Sequence, residues 1–420
     1  MPPRRQMEGS RGVAEAVAAC RPHVVCAYPI TPQTHIVEAL GAMVKTGSLQ
    51  RCEFINVESE FAAMSVAIGA SATGGRAYTA TASQGLLFMA EALYNASGLG
   101  LPIVMTVANR AIGAPINIWN DHSDAMSQRD SGWIQLYAET NQEAIDLHIQ
   151  AFRLAEEVSV PVMVCMDGFV LTHAVEGLEV PDQEAVDAFL PPFHPRQVLD
   201  PEAPISLGAM VGPEAFTEVR YLSFHRQQIA LERIPAIADE FAQAFGRRSG
   251  GLLHTYRCED ATTIVLALGS VLGTLKDTVD ELREAGHRIG VVGLTSFRPF
   301  PVGAVRDALR RAERVIVLER AFSVGIGGIV SGNVHTSLTG LTPRYWHTVI
   351  AGLGGRPITT ASLRTMILSA LDGRLERLSF LDLNRELVDR ELARVQAGPR
   401  SGPAAENILR DIGIVAARSH

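Results

Sequence analysis

In the stretch "VVCAYPITPQT", residues 24 to 34, an apolar run stops at two prolines that bracket Thr31. Pro29 and Pro32 fix the backbone on either side. The second also biases Thr31 toward an extended conformation, so its hydroxyl is presented in a preset direction. The competing reading is a rigid turn that merely ends a strand. Three other polar features close apolar runs in the same way: Ser83-Gln84-Gly85, Arg110, and Asp167-Gly168. A guanidinium at such a place suits bidentate capture of a carboxylate or phosphate. An ion pair with an acid of the same chain would use it equally well. Glu60 opens a mostly apolar helix after Ser59 as N-cap. Glu58 is its rival, and two residues apart the pair point in different directions.

The elements that must position these groups alternate. Strands are expected at 23–28, 54–57, 76–83, 102–110 and 160–169, with helices at 58–71, 85–97 and 142–158. Phe61, Met64 and Ile68 should share one face of the helix 58–71. This alternation implies a parallel, doubly wound sheet reaching residue 170, in which ligands bind at the carboxyl ends of the strands. Thr31, Ser83, Arg110 and Asp167 all fall at such ends. Residues 175 to 215 read as a loop-like meander, followed by a long helix at 224–247, and "RRSGG" marks a boundary. A second, smaller α/β unit follows, with strands at 262–270, 288–300 and 314–320 and helices at 274–286 and 303–312. The expected division is 1–248, 249–375, and a C-terminal arm over 376–420 that runs extended before a short helix.

Length and composition bound the function. At 420 residues two domains are expected. A net charge of -8 with interspersed signs gives no basic stripe for nucleic acid. No apolar run reaches the roughly 20 residues that span a bilayer. Glu15 interrupts the only apolar patch of the opening segment, which argues against a signal peptide and for an amphipathic first helix in the cytoplasm. Cys20, Cys26, Cys52, Cys165 and Cys258 are scattered with no C-x-x-C spacing, so they read as buried free thiols and any redox centre belongs to another chain.

The segments "AYPITPQTHIVEAL", "VESEFAAMSVAIGASATGGRAYTATASQGLLFMAEALYNASGLGLPIVM", "ANRAIGAPINIWNDHSDAMSQRDSGWIQLYAE" and "PVMVCMDGFVLTH" closely resemble the α subunit of 2-oxoacid:ferredoxin oxidoreductases, pyruvate synthase in particular. The resemblance continues through "ATTIVLALGSVLGT", "SFRPFP", "LERAFSVGIGGIVSG" and "AGLGGR". It implies an N-terminal domain like the pyrimidine side of thiamine diphosphate enzymes and a second domain like the transketolase C-terminal domain. The same resemblance assigns Mg-diphosphate and a [4Fe-4S] cluster to partner subunits, the β chain first, with γ and δ chains, ferredoxin, CoA and a 2-oxoacid as further partners. This chain carries no metal in that scheme. Glu60 rather than Glu58 matches the family's glutamate, which bonds N1′ of the aminopyrimidine and promotes removal of the thiazolium C2 proton. Thr31 and Arg110 are implied to hold the substrate carboxylate, and Tyr28, Pro29, Ser83 and Gln84 to line the coenzyme beside Glu60.

Three readings of function follow: a catalytic α subunit acting on pyruvate, the same chemistry on 2-oxoglutarate or a branched-chain or aromatic 2-oxoacid, and a non-catalytic scaffold. The retained Thr31, Glu60 and Arg110 argue against the scaffold. "NDHSD" (120–124) could suggest metal ligands but reads as a structured loop. "GIGGIVSG" departs from the dinucleotide pattern at Val330 and reads as a close-packed turn before a helix.

Overall fold

A computed structural model describes residues 3–398 and 401–414. Its first sheet has seven strands in the order Ser296–Arg298, Ile134–Tyr137, Val162–Asp167, Ile103–Asn109, Ala77–Thr81, Val24–Ala27 and Glu53–Asn56. All neighbours are parallel except Ser296–Arg298, which runs antiparallel to Ile134–Tyr137. The central strands are apolar and covered on both faces, as a parallel sheet requires, and every residue of Ile103–Asn109 is buried. The chain leaves Val24–Ala27 toward one edge and returns on its other side at Ala77–Thr81. That reversal places the switch-point crevice between these two strands.

The helix Glu60–Ala72 begins where the sequence predicts, because the Ser59 hydroxyl accepts from the Ala62 amide at 3.2 Å. Its buried stripe is Glu60, Ala63, Met64, Ala67 and Ser71. Phe61 faces out, 39% exposed, contrary to the expected face. The small residues of the stripe let the helix lie close to the sheet.

The second sheet has six strands in the order Leu378–Phe380, Tyr345–Ile350, Arg314–Glu319, Thr263–Ala267, Ile289–Leu294 and Leu253–Tyr256, only the last antiparallel. Two doubly wound units are therefore present, as the alternation implies.

Several details differ from expectation. The amphipathic first helix is Gly9–Ala19, but the strand Arg5–Glu8 precedes it and pairs antiparallel with Val175–Leu178, inside the supposed meander. The expected strand 288–300 bends at Thr295, so that Ser296–Arg298 leaves its own sheet and joins the first one. The helix expected at 85–97 is divided at Met89. The helix after the meander starts earlier, at Phe216. The C-terminal arm is not extended: Arg385–Ala397 and Ala404–Asp411 form two helices joined by an Arg394–Asp411 ion pair at 2.6 Å. Residues 399–400 of the arm, and 415–420, lie outside the described residues.

All five cysteines are free thiols, four of them buried. Among the described residues no helix is long and apolar enough to cross a membrane. "GIGGIVSG" is the turn expected: Gly328 precedes the helix Ile329–Ser337, whose first amides donate to the buried Glu319 carboxylate, from Ile329 and Val330 at 2.7 Å each.

Candidate active site

Four strand ends of the first sheet deliver the site. Arg110 follows Ile103–Asn109 and is only 8% exposed. Its Nη1 donates to the Thr31 carbonyl at 2.9 Å and its Nε to the Asn117 carbonyl at 3.0 Å. No carboxylate pairs with the guanidinium among the described residues. The intrachain ion pair that competed for Arg110 is absent, and two neutral acceptors hold the cation instead. Burial pulls its pKa down, a shift the Asp124 charge partly offsets. A buried cation in this condition is costly until an anion reaches it.

Thr31 is exposed, and the structure joins it to Arg110 through its backbone carbonyl. Its hydroxyl has no partner among the described residues. The elbow itself is tied by Gln33, whose side-chain amide donates to the Tyr28 carbonyl at 2.9 Å. Tyr28 is 40% exposed and Pro29 is exposed too.

Glu60 is buried at the start of its helix, and its carboxylate has no hydrogen-bond or ion-pair partner among the described residues. It lies over Gly85. A Cβ placed there would sit 2.5 Å from Glu60 Oε1 and 2.6 Å from Thr81 Oγ1, so only glycine fits. The Thr81 hydroxyl is buried and also lacks a partner. A carboxyl and a hydroxyl thus stand unsatisfied over one glycine, and such groups in a native interior call for a partner from outside.

Ser83 and Gln84 connect these halves. Ser83 is held at φ 51°, uncommon for a residue with a side chain. Its hydroxyl donates to the Ala111 carbonyl at 2.6 Å and lies against the Gln84 carboxamide. That hydroxyl is therefore occupied within the chain, whereas Gln84 is half-buried beside Gly113.

The residue that sequence reasoning missed is Asp124. It is fully buried in the short helix Ser123–Ser127. One oxygen accepts from the Ser83 amide at 3.0 Å and the Arg110 amide at 2.9 Å, while the other accepts from Asn109 Nδ2 at 2.8 Å and the Ala125 amide at 2.7 Å. A single carboxylate thereby sets the spacing between two strand ends. Burial pushes its pKa up to about 6, and these four hydrogen bonds to the ionised form restrain the rise. The signal lay in "NDHSD", a stretch noticed for its polarity and assigned only a loop.

Asp167 belongs elsewhere. It turns toward the second sheet, where Arg320 Nη1 donates at 2.8 Å, the Ser270 amide at 2.9 Å and the Ser270 hydroxyl more closely still. His122 Nε2 lies 2.6 Å from its other oxygen. Burial alone would raise the Asp167 carboxyl, but the Arg320 and His122 charges and these hydrogen bonds outweigh it and hold it well below the usual carboxylate range. Asp121 works at the same junction and accepts from the Gly354 amide at 3.1 Å. The loop expected at "NDHSD" is thus a bolt between the two sheets. Gly168, by contrast, stays with the site: a Cβ there would meet Pro32 at 2.6 Å.

Residues 15–239 match the family described as pyruvate flavodoxin/ferredoxin oxidoreductase, thiamine diphosphate-binding, and residues 261–363 match pyruvate:ferredoxin oxidoreductase core domain II. Pyruvate synthase subunit PorA of Methanosarcina barkeri is 48% identical over 91% of this chain and 97% of the relative. Ketoisovalerate oxidoreductase subunit VorA of Pyrococcus horikoshii is 40% identical over 87% of this chain and 93% of the relative.

 The aligned span with VorA is 368 residues. Among solved structures, 2-oxoglutarate:ferredoxin oxidoreductase from Magnetococcus marinus superposes with a TM-score of 0.67 at 19% identity, covering 87% of this chain and 65% of that one. That likeness carries the fold. The family match over more than half of the chain, with the PorA identity over nearly all of it, carries the rest: this chain belongs to the pyruvate flavodoxin/ferredoxin oxidoreductase family, and its N-terminal unit is that family's thiamine diphosphate-binding domain.

Proposed function

We propose that the chain is the catalytic α subunit of a pyruvate:ferredoxin oxidoreductase, which converts pyruvate and CoA to acetyl-CoA and carbon dioxide and passes electrons to ferredoxin, or runs the reverse synthesis. The observation that carries this reading is Arg110: a buried guanidinium with no carboxylate paired to it among the described residues, fixed by the Thr31 and Asn117 carbonyls at the switch-point crevice. Such a group is prepared for a carboxylate that arrives with the substrate. The fixed orientation lowers the ordering cost of binding it.

The residues present fit thiamine diphosphate on its pyrimidine side. Glu60 offers a buried carboxyl without a partner, and Gly85 leaves the space above it clear. When bound, the coenzyme would supply the electron sink for decarboxylation. Glu60 would hold a proton at the pyrimidine N1′ atom, Thr31 and Arg110 would orient the 2-oxoacid carboxylate, and Tyr28, Pro29 and Gln84 would border the ring. Ser83 would act through its backbone, since its hydroxyl is engaged with Ala111. In this proposal a β subunit holds the Mg-diphosphate and a [4Fe-4S] cluster, γ and δ subunits complete a cytoplasmic complex, and 1–248, 249–375 and 376–420 are its domain divisions.

A branched-chain 2-oxoacid is the second reading, supported by the VorA relative. Pyruvate is preferred because the PorA relative is the more similar. The test is a screen of pyruvate, 2-oxoisovalerate and 2-oxoglutarate with the purified complex, CoA and an electron acceptor. Pyruvate should give the highest kcat/KM. A preference for 2-oxoisovalerate replaces the substrate assignment, and no turnover with any 2-oxoacid overturns the catalytic reading.

A further inference from the structure

Outside the crevice, three side chains that ligate metals converge from three separate segments. Glu8 ends the strand Arg5–Glu8, His35 is the second residue of the helix Thr34–Thr46, and His173 follows the turn after Val162–Asp167. His35 Nδ1 lies 2.7 Å from Glu8 Oε1, and His173 Nδ1 lies 4.0 Å from the same oxygen. One donor atom from each falls within 4.8 Å of the others.

The backbones beneath them are fixed. Glu8 is opposite Val175 in the two-stranded sheet, the Gly9 amide donates to the Ala174 carbonyl at 3.0 Å, and the Ser10 amide and hydroxyl donate to the Thr172 carbonyl at 3.0 and 2.7 Å. Phe169 packs against the His173 ring with centroids 4.8 Å apart and a tilt of 36°, which limits how that ring can turn. The two imidazole centroids lie 4.7 Å apart with the rings tilted by 34°, and the Glu8 carboxylate lies near both Nδ1 atoms.

We propose that Glu8, His35 and His173 form a binding site for one divalent cation of the zinc class, with water completing its coordination. Two imidazoles and one carboxylate suit zinc and its transition-metal neighbours, and poorly suit magnesium, which takes oxygen ligands. Bonds of about 2.0–2.2 Å place neighbouring ligands about 3–3.5 Å apart, so closure needs a shift on the order of 1 Å from side chains that are part-exposed. His173 Nδ1 meets the Thr172 hydroxyl at 2.7 Å, and that hydroxyl must rotate away if this nitrogen takes the metal. Once occupied, the site clamps the two-stranded sheet of Arg5–Glu8 and Val175–Leu178 to the helix that begins three residues after Thr31. The inference is independent of the substrate reading above.

The experiment is equilibrium dialysis of the full chain against zinc chloride after chelator treatment, with magnesium in excess. One zinc per chain is expected. His35→Ala and His173→Ala should each weaken binding at least tenfold, as should Glu8→Gln, while His194→Ala, at an exposed position elsewhere, leaves it unchanged. Circular dichroism confirms that each variant is folded, and cobalt loaded in place of zinc should give visible absorption bands that both histidine variants lose. Absence of stoichiometric zinc, or binding unchanged in both histidine variants, overturns the proposal.

Discussion

Arg110 and Arg320 each follow the last residue of a parallel strand, one in each sheet, and are 8% and 5% exposed. Their surroundings part there. Arg320 meets the Asp167 carboxylate at 2.8 Å, whereas Arg110 meets only the carbonyls of Thr31 and Asn117. A buried charge compensated within the chain is a joint, and one left uncompensated is an invitation to a ligand. The same contrast extends to the acids: Asp167 is saturated by donors, while Glu60 has none among the described residues. The junction should therefore govern stability and the crevice should govern turnover.

The largest effect that sharpens this contrast is expected at Glu60. Glu60→Gln should lower turnover of the assembled complex by roughly 10²–10⁴-fold, the range for lost acid-base assistance, with the unfolding midpoint unchanged. Near-normal turnover would place activation of the coenzyme on another residue.

Asp167→Asn should show the reverse pattern. It strands the Arg320 charge in the junction, at a cost of about 3–5 kcal/mol, read as a lower midpoint in urea. A variant as stable as the parent would break the comparison at its structural end.

Arg110→Ala comes next. A charge-assisted hydrogen bond contributes about 1.5–3 kcal/mol, so kcat/KM for the 2-oxoacid should fall roughly ten- to a hundred-fold, and Lys should rescue only part because it lacks the planar fork. Steady-state kinetics and thiamine diphosphate content are measured on one preparation. Loss of coenzyme with substrate affinity intact would move Arg110 out of the substrate role.

The smallest effect is a split in pH dependence at Asp124, which faces Asn109, the Ser83, Arg110 and Ala125 amides, and the Tyr137 and Cys165 side chains. With its pKa raised to about 6, protonation removes an acceptor and loosens the clamp, so turnover should be about halved near pH 6 relative to pH 8. Stability should move the other way. A folded-state value above the unfolded one binds the proton more tightly when folded, so this group adds stability as pH falls from about 6 toward 4. Rate and melting temperature that fall together across this window would remove Asp124 from the clamp.

The sequence made the strand-end residues legible because β-α alternation and proline geometry are local signals. Thr31, Ser83 and Arg110 needed only the ends of apolar runs to be located, whereas Glu60 was marked by its N-cap and separated from its rival Glu58 only by the family resemblance. Asp124 was not legible, because its partners Ser83 and Arg110 lie 41 and 14 residues away and are backbone amides that any residue could supply. Arg5–Glu8 and Ser296–Arg298 escaped for a related reason: three or four residues are too few for periodicity to register, and both strands pair antiparallel with distant segments. Phe61 shows a third limit. Apolar spacing marks a helix face but does not say which side meets the sheet.

Ser296–Arg298 also acts as an edge guard. It covers the open side of Ile134–Tyr137, whose backbone groups would otherwise stand as a template for another chain. A protein truncated near residue 248 would keep the crevice residues yet expose that strand along its length. Such a fragment should associate edge to edge, so the second unit protects the first from aggregation as well as adjoining it.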